Sequence, residues 1–461
     1  DAGGATSING LSDGTTPATG NIGLGTNAVN SITTGDYNVG LGDEALTDNT
    51  SGADNVAVGY LALSDNTTGI RNVAIGNRAL LANTTGNDNI SMGVSSLSTN
   101  TTGSFNTALG RLALQNNTTG ASNTAVGYQS LKDNTTGGDN VAIGELAMEN
   151  NTTGIRNTAM GSSALFTKTT GNDNVAIGNA ALYANTTASN NTAVGGNTLA
   201  ANTTGASNTA TGFKSMFLNT TGLQNAAFGY EALYSNTSGN YNIALGITAL
   251  GANTTGDNNV AVGRLALTGN TTADDNTAVG YQSLTGNTTG NNNTAVGKDS
   301  LSRNTTGIEG TAVGMNALDH NTTGTANTAV GYAAVTAVST GSYNTGVGRA
   351  SLASVTTSNY NTGLGAYSLS GNTTGTSNVA VGYQAGMTIN TGDYNVAVGA
   401  TALDVATSAN YNTAVGYASL GANTTGPENT AVGSYALLAN ITHEASVAVG
   451  YNALRASVSN S

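Results

Sequence analysis

The acidic side chains of this sequence could bind calcium, because several of them lie in turn-like segments. Examples are Asp88, Asp173, Asp257 and the pair Asp274 and Asp275. Ca²⁺ takes about six to eight oxygen ligands, whereas most of these segments carry a single acid. The glycine- and aspartate-rich nonapeptide that binds Ca²⁺ between the coils of some β-rolls is not found here. We therefore interpret these residues as solvated turn acids and expect no metal site.

Catalysis requires a few unlike residues that converge on one spot, and the sequence offers little of this kind. Its two histidines, His320 and His443, are far apart in the chain. Paired carboxylates cleave glycosides, but Glu145, Glu149 and Glu231 occupy unlike positions and have no evident partner. No G-x-S-x-G, H-E-x-x-H or P-loop motif occurs. We predict that the chain is not an enzyme and uses no cofactor.

The tripeptide Asn-Thr-Thr recurs along the chain, for example at residues 66–68, 134–136 and 321–323. It is formally an N-glycosylation acceptor, but a turn with a ladder of threonines explains it more simply. The same threonine pairs could also form a regularly spaced array of hydroxyl groups that orders water on ice. Lys168 interrupts that array. Ice binding by a β-roll is therefore an alternative function.

Tyrosines recur at two positions and could stack on sugars or on a receptor. Because the rings are spread along the chain, we favour an arrangement in which they cover backbone or the seam between chains. The candidate surface or partner contacts that follow the first glycine of a copy are Tyr60, Tyr128, Tyr281, Tyr332, Tyr383 and Tyr417. Those that precede the leading asparagine are Tyr37, Tyr241, Tyr343, Tyr360, Tyr394 and Tyr411.

A strict 17-residue repeat positions all of these side chains. From Asn21 it runs without insertion or deletion as 25 full copies and a last copy of 16 residues. The consensus is N-[TV]-A-[VI]-G-x-x-A-L-x-x-N-T-T-G-x-x. A fixed short period predicts units that stack, with like residues one above another at about 4.8 Å. We predict an all-β parallel solenoid over residues 21–461, and a cap or joining segment over residues 1–20.

Each copy predicts one strand and a thin core. Val175 and Ile177 are two residues apart and share one strand face, while Ala176 takes the other. The face formed by alanine and glycine would allow close approach of a second and a third copy of the chain, which predicts a homotrimer. We expect the leading asparagine, such as Asn174, to accept left-handed backbone and to bond its own turn.

The first glycine of each copy predicts a corner. It is present in every copy, so that either its φ angle is positive or a Cβ would collide with a neighbouring coil or chain. We single out the corner glycines Gly59, Gly127, Gly178, Gly263, Gly331 and Gly433. The second glycine, such as Gly69, is replaced by Ala188 or Ser358 in other copies. The second corner therefore tolerates a side chain.

Composition excludes several classes of partner. The net charge is −13, with 12 Lys and Arg against 25 Asp and Glu, and no basic cluster could neutralise a run of phosphates. We therefore expect no nucleic-acid partner. No apolar run approaches the roughly 18 residues of a membrane span, so we expect no membrane insertion by this chain. The absence of cysteine rules out disulfides and is compatible with an extracellular location.

The repeats resemble the head repeats of YadA-type trimeric autotransporter adhesins at N-V-A-[IV]-G, as in residues 140–144 and 378–382. The longer pattern at residues 123–137 and 276–290 is similar to the shafts of phage-type tail fibres. The period of 17 residues departs from the roughly 14 of the adhesin heads, and no neck, coiled-coil stalk or membrane barrel is found. The resemblance implies a left-handed parallel β-roll and a trimeric extracellular fibre, on a virion or on a cell surface.

Taken together, these features predict a structural fibre or adhesin shaft that mediates attachment or spacing. Its partners would be further copies of itself, in a homotrimer or an end-to-end polymer, and possible ligands are a host-surface glycan or receptor. An ice-binding β-roll and a self-polymerising extracellular filament are the alternatives.

Overall fold

The computed structural model describes residues 18–167 and 169–456. The chain divides into two compact units, Asp1–Asn225 and Ala226–Ser461. The predicted cap or joining segment, residues 1–20, lies almost wholly outside the described residues, as does the end of the last copy.

In the first unit each copy of the repeat forms one strand of three residues. Each strand pairs in parallel with the strand of the next copy, and every residue faces the residue 17 positions later, as Val56 faces Val73. The strands are β1 (Ile22–Leu24), β2 (Val39–Leu41), β3 (Val56–Val58), β4 (Val73–Ile75), β5 (Ile90–Met92), β6 (Thr107–Leu109), β7 (Thr124–Val126), β8 (Val141–Ile143), β9 (Thr158–Met160), β10 (Val175–Ile177), β11 (Thr192–Val194) and β12 (Thr209–Thr211).

The second unit repeats this arrangement with the same parallel register, as between Val313 and Val330. Its strands are β13 (Ala226–Phe228), β14 (Ile243–Leu245), β15 (Val260–Val262), β16 (Thr277–Val279), β17 (Thr294–Val296), β18 (Thr311–Val313), β19 (Thr328–Val330), β20 (Thr345–Val347), β21 (Thr362–Leu364), β22 (Val379–Val381), β23 (Val396–Val398), β24 (Thr413–Val415), β25 (Thr430–Val432) and β26 (Val447–Val449). The predicted all-β parallel solenoid with 17-residue coils is confirmed, and the described residues contain no helix.

Most of the bonding between coils lies outside these short strands. In one coil the amide of Leu63 donates to the carbonyl of Ala79 at 3.0 Å, and the amide of Thr67 donates to that of Thr84 at 2.9 Å. The amide of Arg71 donates in the opposite direction, to the preceding coil. Backbone groups that a turn would leave to solvent are therefore satisfied by the neighbouring coils.

In almost every coil three residues with side chains have left-handed backbone, and in one coil Gly386 takes the place of the second. In the coil that begins after β3 they are Leu61, Leu63 and Arg71, with φ angles of 56°, 53° and 56°. The sequence predicted left-handed backbone for the leading asparagine, and this is wrong: the residue before it, here Arg71 before Asn72, adopts that conformation. Left-handed backbone costs an L-residue about 1–2 kcal/mol. The hydrogen bonds to neighbouring coils offset this cost in every copy.

The core consists of alanine, leucine and asparagine columns. The central alanine of the strand and the Ala-Leu pair that follows are fully buried, as at Ala57, Ala62 and Leu63. The prediction that the alanine face receives other copies of the chain is therefore wrong. At Gly346, which replaces the central alanine, a Cβ would lie 2.5 Å from Cγ2 of Val335. The interior leaves room for little more than a methyl group opposite the leucine column, so the larger Val and Ile side chains point outward.

Candidate functional site

The corner glycines form a column in which neither the backbone conformation nor the space admits a side chain. At Gly263 the φ angle is 133°, and a Cβ would lie 2.5 Å from the carbonyl oxygen of Gly280 in the next coil. The other five predicted corners share this left-handed φ and this contact: Gly59, Gly127, Gly178, Gly331 and Gly433. Both reasons that the sequence offered for an invariant glycine therefore apply at once.

The leading asparagines form a buried ladder. Asn72 illustrates it: its backbone amide and its Nδ2 donate to Oδ1 of Asn55 at 2.9 and 3.2 Å, and Nδ2 also donates to the carbonyl of Gly86 at 2.9 Å. The side chain is completely buried. Asn72 thus bonds the preceding coil and the second glycine of its own copy. Some leading asparagines also bond their own turn as expected, as Asn38 does with the carbonyl of Asp36 at 3.2 Å.

The asparagines of the Asn-Thr-Thr segments form a second buried ladder. Nδ2 of Asn287 donates to Oδ1 of Asn270 at 3.0 Å and to the carbonyl of Gly290 at 2.9 Å. Its own Oδ1 accepts from Nδ2 of Asn304 at 2.7 Å. Because these side chains are buried, they are not available as glycosylation acceptors in the folded coils.

Apolar residues interrupt the second ladder near the end of the chain. The asparagine of the consensus is replaced by Val338, Val355, Ile389 and Ala406, which leaves Asn372 between two apolar neighbours. Among the residues that the structure describes, neither Nδ2 nor Oδ1 of Asn372 meets a hydrogen-bond partner. A buried polar group without partners destabilises the fold by about 1–3 kcal/mol.

The threonine pairs do not form a free hydroxyl array. In most coils the first threonine of the pair is partly buried, and its hydroxyl donates to a backbone carbonyl of the next coil, as from Thr288 to Thr305 at 2.9 Å. The second threonine, such as Thr306, is exposed. Half of the hydroxyl groups in this column are therefore used to bond the coils together.

The six candidate tyrosines lie on the surface and are not brought together into one site. Tyr60, Tyr128, Tyr281, Tyr332, Tyr383 and Tyr417 are 39–53% exposed. Three of them lie beside an arginine of an adjacent coil: Arg111 is 5.8 Å from the ring of Tyr128, and the pairs of Arg264 with Tyr281 and of Arg349 with Tyr332 have the same distance. These arginine contacts cover part of the three rings, whereas Tyr383 and Tyr417 each pack edge-on against a tyrosine of a neighbouring coil, Tyr367 and Tyr435 respectively.

The tyrosines that precede the leading asparagine stack in pairs where two successive coils carry them. Tyr343 and Tyr360 have ring centroids 5.3 Å apart, and Tyr394 and Tyr411 have centroids 5.2 Å apart. Tyr37 and Tyr241 occupy the same position of the repeat, and all six are more than half exposed. Stacking between coils is therefore one function of this column.

The turn acids are engaged by the chain itself. The guanidinium of Arg71 bonds both oxygens of Asp88, at 2.6 and 2.8 Å, and this contact holds the pKa of Asp88 below its ordinary value. Arg156 lowers the pKa of Asp173 in the same way. The carboxylate of Asp257 accepts the backbone amide of Asn240 at 2.6 Å. Within the described ranges, no three acidic or histidine side chains cluster in a way that could hold a metal ion.

The outward face of the strands repeats along each unit, and the sequence predicted no function for it. In the second unit the strand residue after the central alanine is always apolar and points outward: Phe228, Leu245, Val262, Val279, Val296, Val313, Val330, Val347, Leu364, Val381, Val398, Val415, Val432 and Val449. Val313 and Val330 are more than a third exposed. The residue before the alanine is Thr, Val, Ile or Ala, so none of the described strands carries a charge on this face. We call this surface the strand face. Alternation along the strand could have identified it, if the sequence had shown which side is interior.

The comparisons with known proteins assign no family. None of the described residues forms a helix long and apolar enough to cross a membrane. No protein-family model matches the sequence, and no curated protein matches it at a significant level.

Proposed function

We propose that this chain is a structural extracellular fibre or adhesin shaft, built as a left-handed β-roll, that spaces or attaches a cell or virion surface without catalysing a reaction. The observation that supports it best is the uniformity of the bonding. Coil after coil in each unit uses the same backbone pairs and the same buried asparagine ladder. Such a structure resists local opening at any one point, which suits a mechanical role.

We further propose that the fibre is a homotrimer that packs through the strand face. Exposed and uncharged β-branched side chains repeated in every coil are unusual on the surface of a monomer. A second copy is the occupant that fits best, because its own strand face has the same spacing and the same lack of charge. Closed assemblies of identical chains bury such matching surfaces. The resemblance to trimeric adhesin heads and tail-fibre shafts is consistent with this assembly.

The mass of the native particle tests the assembly. We expect light scattering after size exclusion to give three times the chain mass of 45.4 kDa. The double variant V313D/V330D places two carboxylates on the strand face and should reduce the mass, while circular dichroism of the coil remains unchanged. T306D is the matched control, because Thr306 is exposed on another part of the same coil. A monomeric wild-type protein would contradict the trimer, and open-ended filaments would instead identify the chain as the subunit of a polymer.

One observation supports ice binding as a second candidate. Six successive strands of the second unit, β16 to β21, carry threonine before the central alanine, and this row lies on the strand face. Rows of threonine beside apolar residues on a flat sheet could order water. A measurement of thermal hysteresis tests ice binding directly. No hysteresis at high protein concentration would exclude ice binding. Hysteresis in the wild type that is lost in T311K/T328K would favour ice binding over the shaft.

A further inference from the structure

The residue after the buried leucine forms a surface column that is aromatic over part of the first unit. Phe166, Tyr183 and Phe217 occupy it, and Ala200 interrupts it. The rings of Phe166 and Tyr183 stack with centroids 5.1 Å apart and planes within 9° of each other. Adjacent positions of this column therefore hold rings in a parallel stack, and the missing ring at Ala200 leaves a gap.

The gap at Ala200 is a slot with an aromatic residue at each end. Tyr183 and Phe217 line it together with Ala200, Ala201 and Asn197, and its volume is about 370 Å³. The two rings belong to coils two steps apart, so they are separated by about 10 Å. A volume of this size lies within the range of small-ligand sites, about 300–1,000 Å³. We call it the Tyr183 slot.

A second slot, with an aromatic residue at one end only, lies in the second unit. Gly251 interrupts the column next to Tyr234, and the resulting space has a volume of about 250 Å³. The side chains of Glu231, Thr248 and Thr268 also line it. One tyrosine, three hydroxyl-bearing residues (Ser235, Thr248 and Thr268) and a glutamate therefore surround this second space, which we call the Tyr234 slot.

The chemistry of the two slots favours a sugar ring as the ligand. A space of about 10 Å between two rings is wide enough for one pyranose, and also for one flat ring, because Phe166 and Tyr183 stack with centroids 5.1 Å apart in the same column. A puckered pyranose is thicker, and its C–H groups pack against aromatic faces. Its hydroxyl groups need donors and acceptors at the edge, and Asn197 supplies these in one slot as Glu231 and Thr248 do in the other. Glu231 also bonds the hydroxyl of Tyr230, and Thr248 donates its hydroxyl to the carbonyl of Ile247, so it is the remaining hydrogen-bonding capacity of these groups that an apolar aromatic guest would not use.

We propose that the Tyr183 and Tyr234 slots each bind one pyranose unit of a neutral glycan. This inference deepens the proposed attachment role, because it names the ligand and its location. Two weak sites on one chain gain avidity on a surface that displays many sugars.

Saturation-transfer NMR tests the proposal with N-acetylglucosamine, galactose, glucose and mannose as separate probes of the full chain. The variant A200Y/G251Y fills both slots with rings in a column that already accepts Phe166 and Tyr183, so we expect it to fold. The control A353Y adds a ring at the equivalent position of another coil. At least one sugar should receive saturation from the wild-type protein and from A353Y. Its affinity for A200Y/G251Y should be at least tenfold weaker.

Three outcomes would overturn the proposal. These are no transfer to any of the four sugars, transfer from A200Y/G251Y equal to that from the wild type, and selective binding of N-acetyltyrosinamide in place of the sugars. The last would identify the slots as acceptors of an aromatic side chain from a partner protein. Each outcome is separate from the shaft proposal, because the native mass and the effect of V313D/V330D do not depend on sugar binding.

Discussion

Replacing two buried asparagines of the same ladder by valine should change stability in opposite directions. Asn287 is fully bonded, whereas Asn372 meets no partner among the described residues. Valine fits this column without strain, because Val338 and Val355 already occupy it and are completely buried. The two variants therefore differ in the hydrogen bonds that they remove and not in the shape that they introduce.

The structure gives the magnitude of each effect. N287V leaves the Gly290 carbonyl, Oδ1 of Asn270 and Nδ2 of Asn304 each one partner short. At about 1 kcal/mol each, this loss amounts to about 3 kcal/mol, and the buried valine returns about 1 kcal/mol. The net destabilisation of about 2 kcal/mol corresponds to roughly thirtyfold more frequent local opening. N372V removes an unpaired amide and should stabilise its coil by about 1–2 kcal/mol.

Hydrogen exchange followed by mass spectrometry is the suitable assay, because a long repeat does not unfold in a single two-state step. Peptides that span residues 284–290 should exchange roughly thirtyfold faster in N287V. Peptides that span residues 369–375 should exchange about tenfold more slowly in N372V. Peptides from the first unit serve as the internal control and should not change. Faster exchange in both variants would refute the reasoning, since it would mean that the amide of Asn372 is satisfied in solution.

Three further changes probe other features. G263V should destabilise its coil by more than about 3 kcal/mol, because it combines a left-handed φ with a backbone clash. N292A, on the surface, should destabilise its coil by less than about 1 kcal/mol. Similar rates of limited proteolysis for the two variants would argue against the corner at Gly263. S122G relieves left-handed backbone at an exposed residue and should stabilise its coil by about 0.5–1 kcal/mol, whereas T119G should destabilise it by a similar amount. Hydrogen exchange of the peptides that span these two residues distinguishes the variants, and faster exchange in S122G would contradict the strain. Burial raises the pKa of Asp404 above its ordinary value, so the folded chain binds that proton more tightly than the unfolded chain, and ionisation lowers stability as pH rises. D404N should therefore raise the melting temperature at about pH 7 but not at about pH 3, and an equal rise at both would show that charge is not the cause.

The strict period was sufficient to predict the strands, their parallel stacking and a corner at every first glycine. It could not predict which face of the strand is interior. Alternation places Val175 and Ile177 on one side and Ala176 on the other, and burial of the larger side chains is the usual expectation. Here the interior is too narrow for them, because the leucine column and two asparagine ladders already fill it.

Local preferences also misled the assignment of backbone conformation. Leucine has no preference for left-handed backbone, yet Leu63 and its counterparts adopt it in coil after coil. Hydrogen bonds from the coils on either side determine this conformation, and a single copy cannot reveal them. Asparagine is typical of exposed turns, so its burial in two ladders could be recognised only once the coils were stacked. The slots were missed because they result from the absence of a side chain at Ala200 and Gly251.

The identical bonding of successive coils makes them interchangeable in evolution. Loss or gain of one whole copy by recombination between repeats joins coils that present the same atoms to each other, so that the column of corner glycines stays intact. An insertion of any other length that stays within the stacked coils would take the leucine and asparagine columns out of register and break the ladders. Each length variant that differs by 17 residues therefore keeps the fold. Evolution can change the number of coils one at a time without passing through a variant that does not fold.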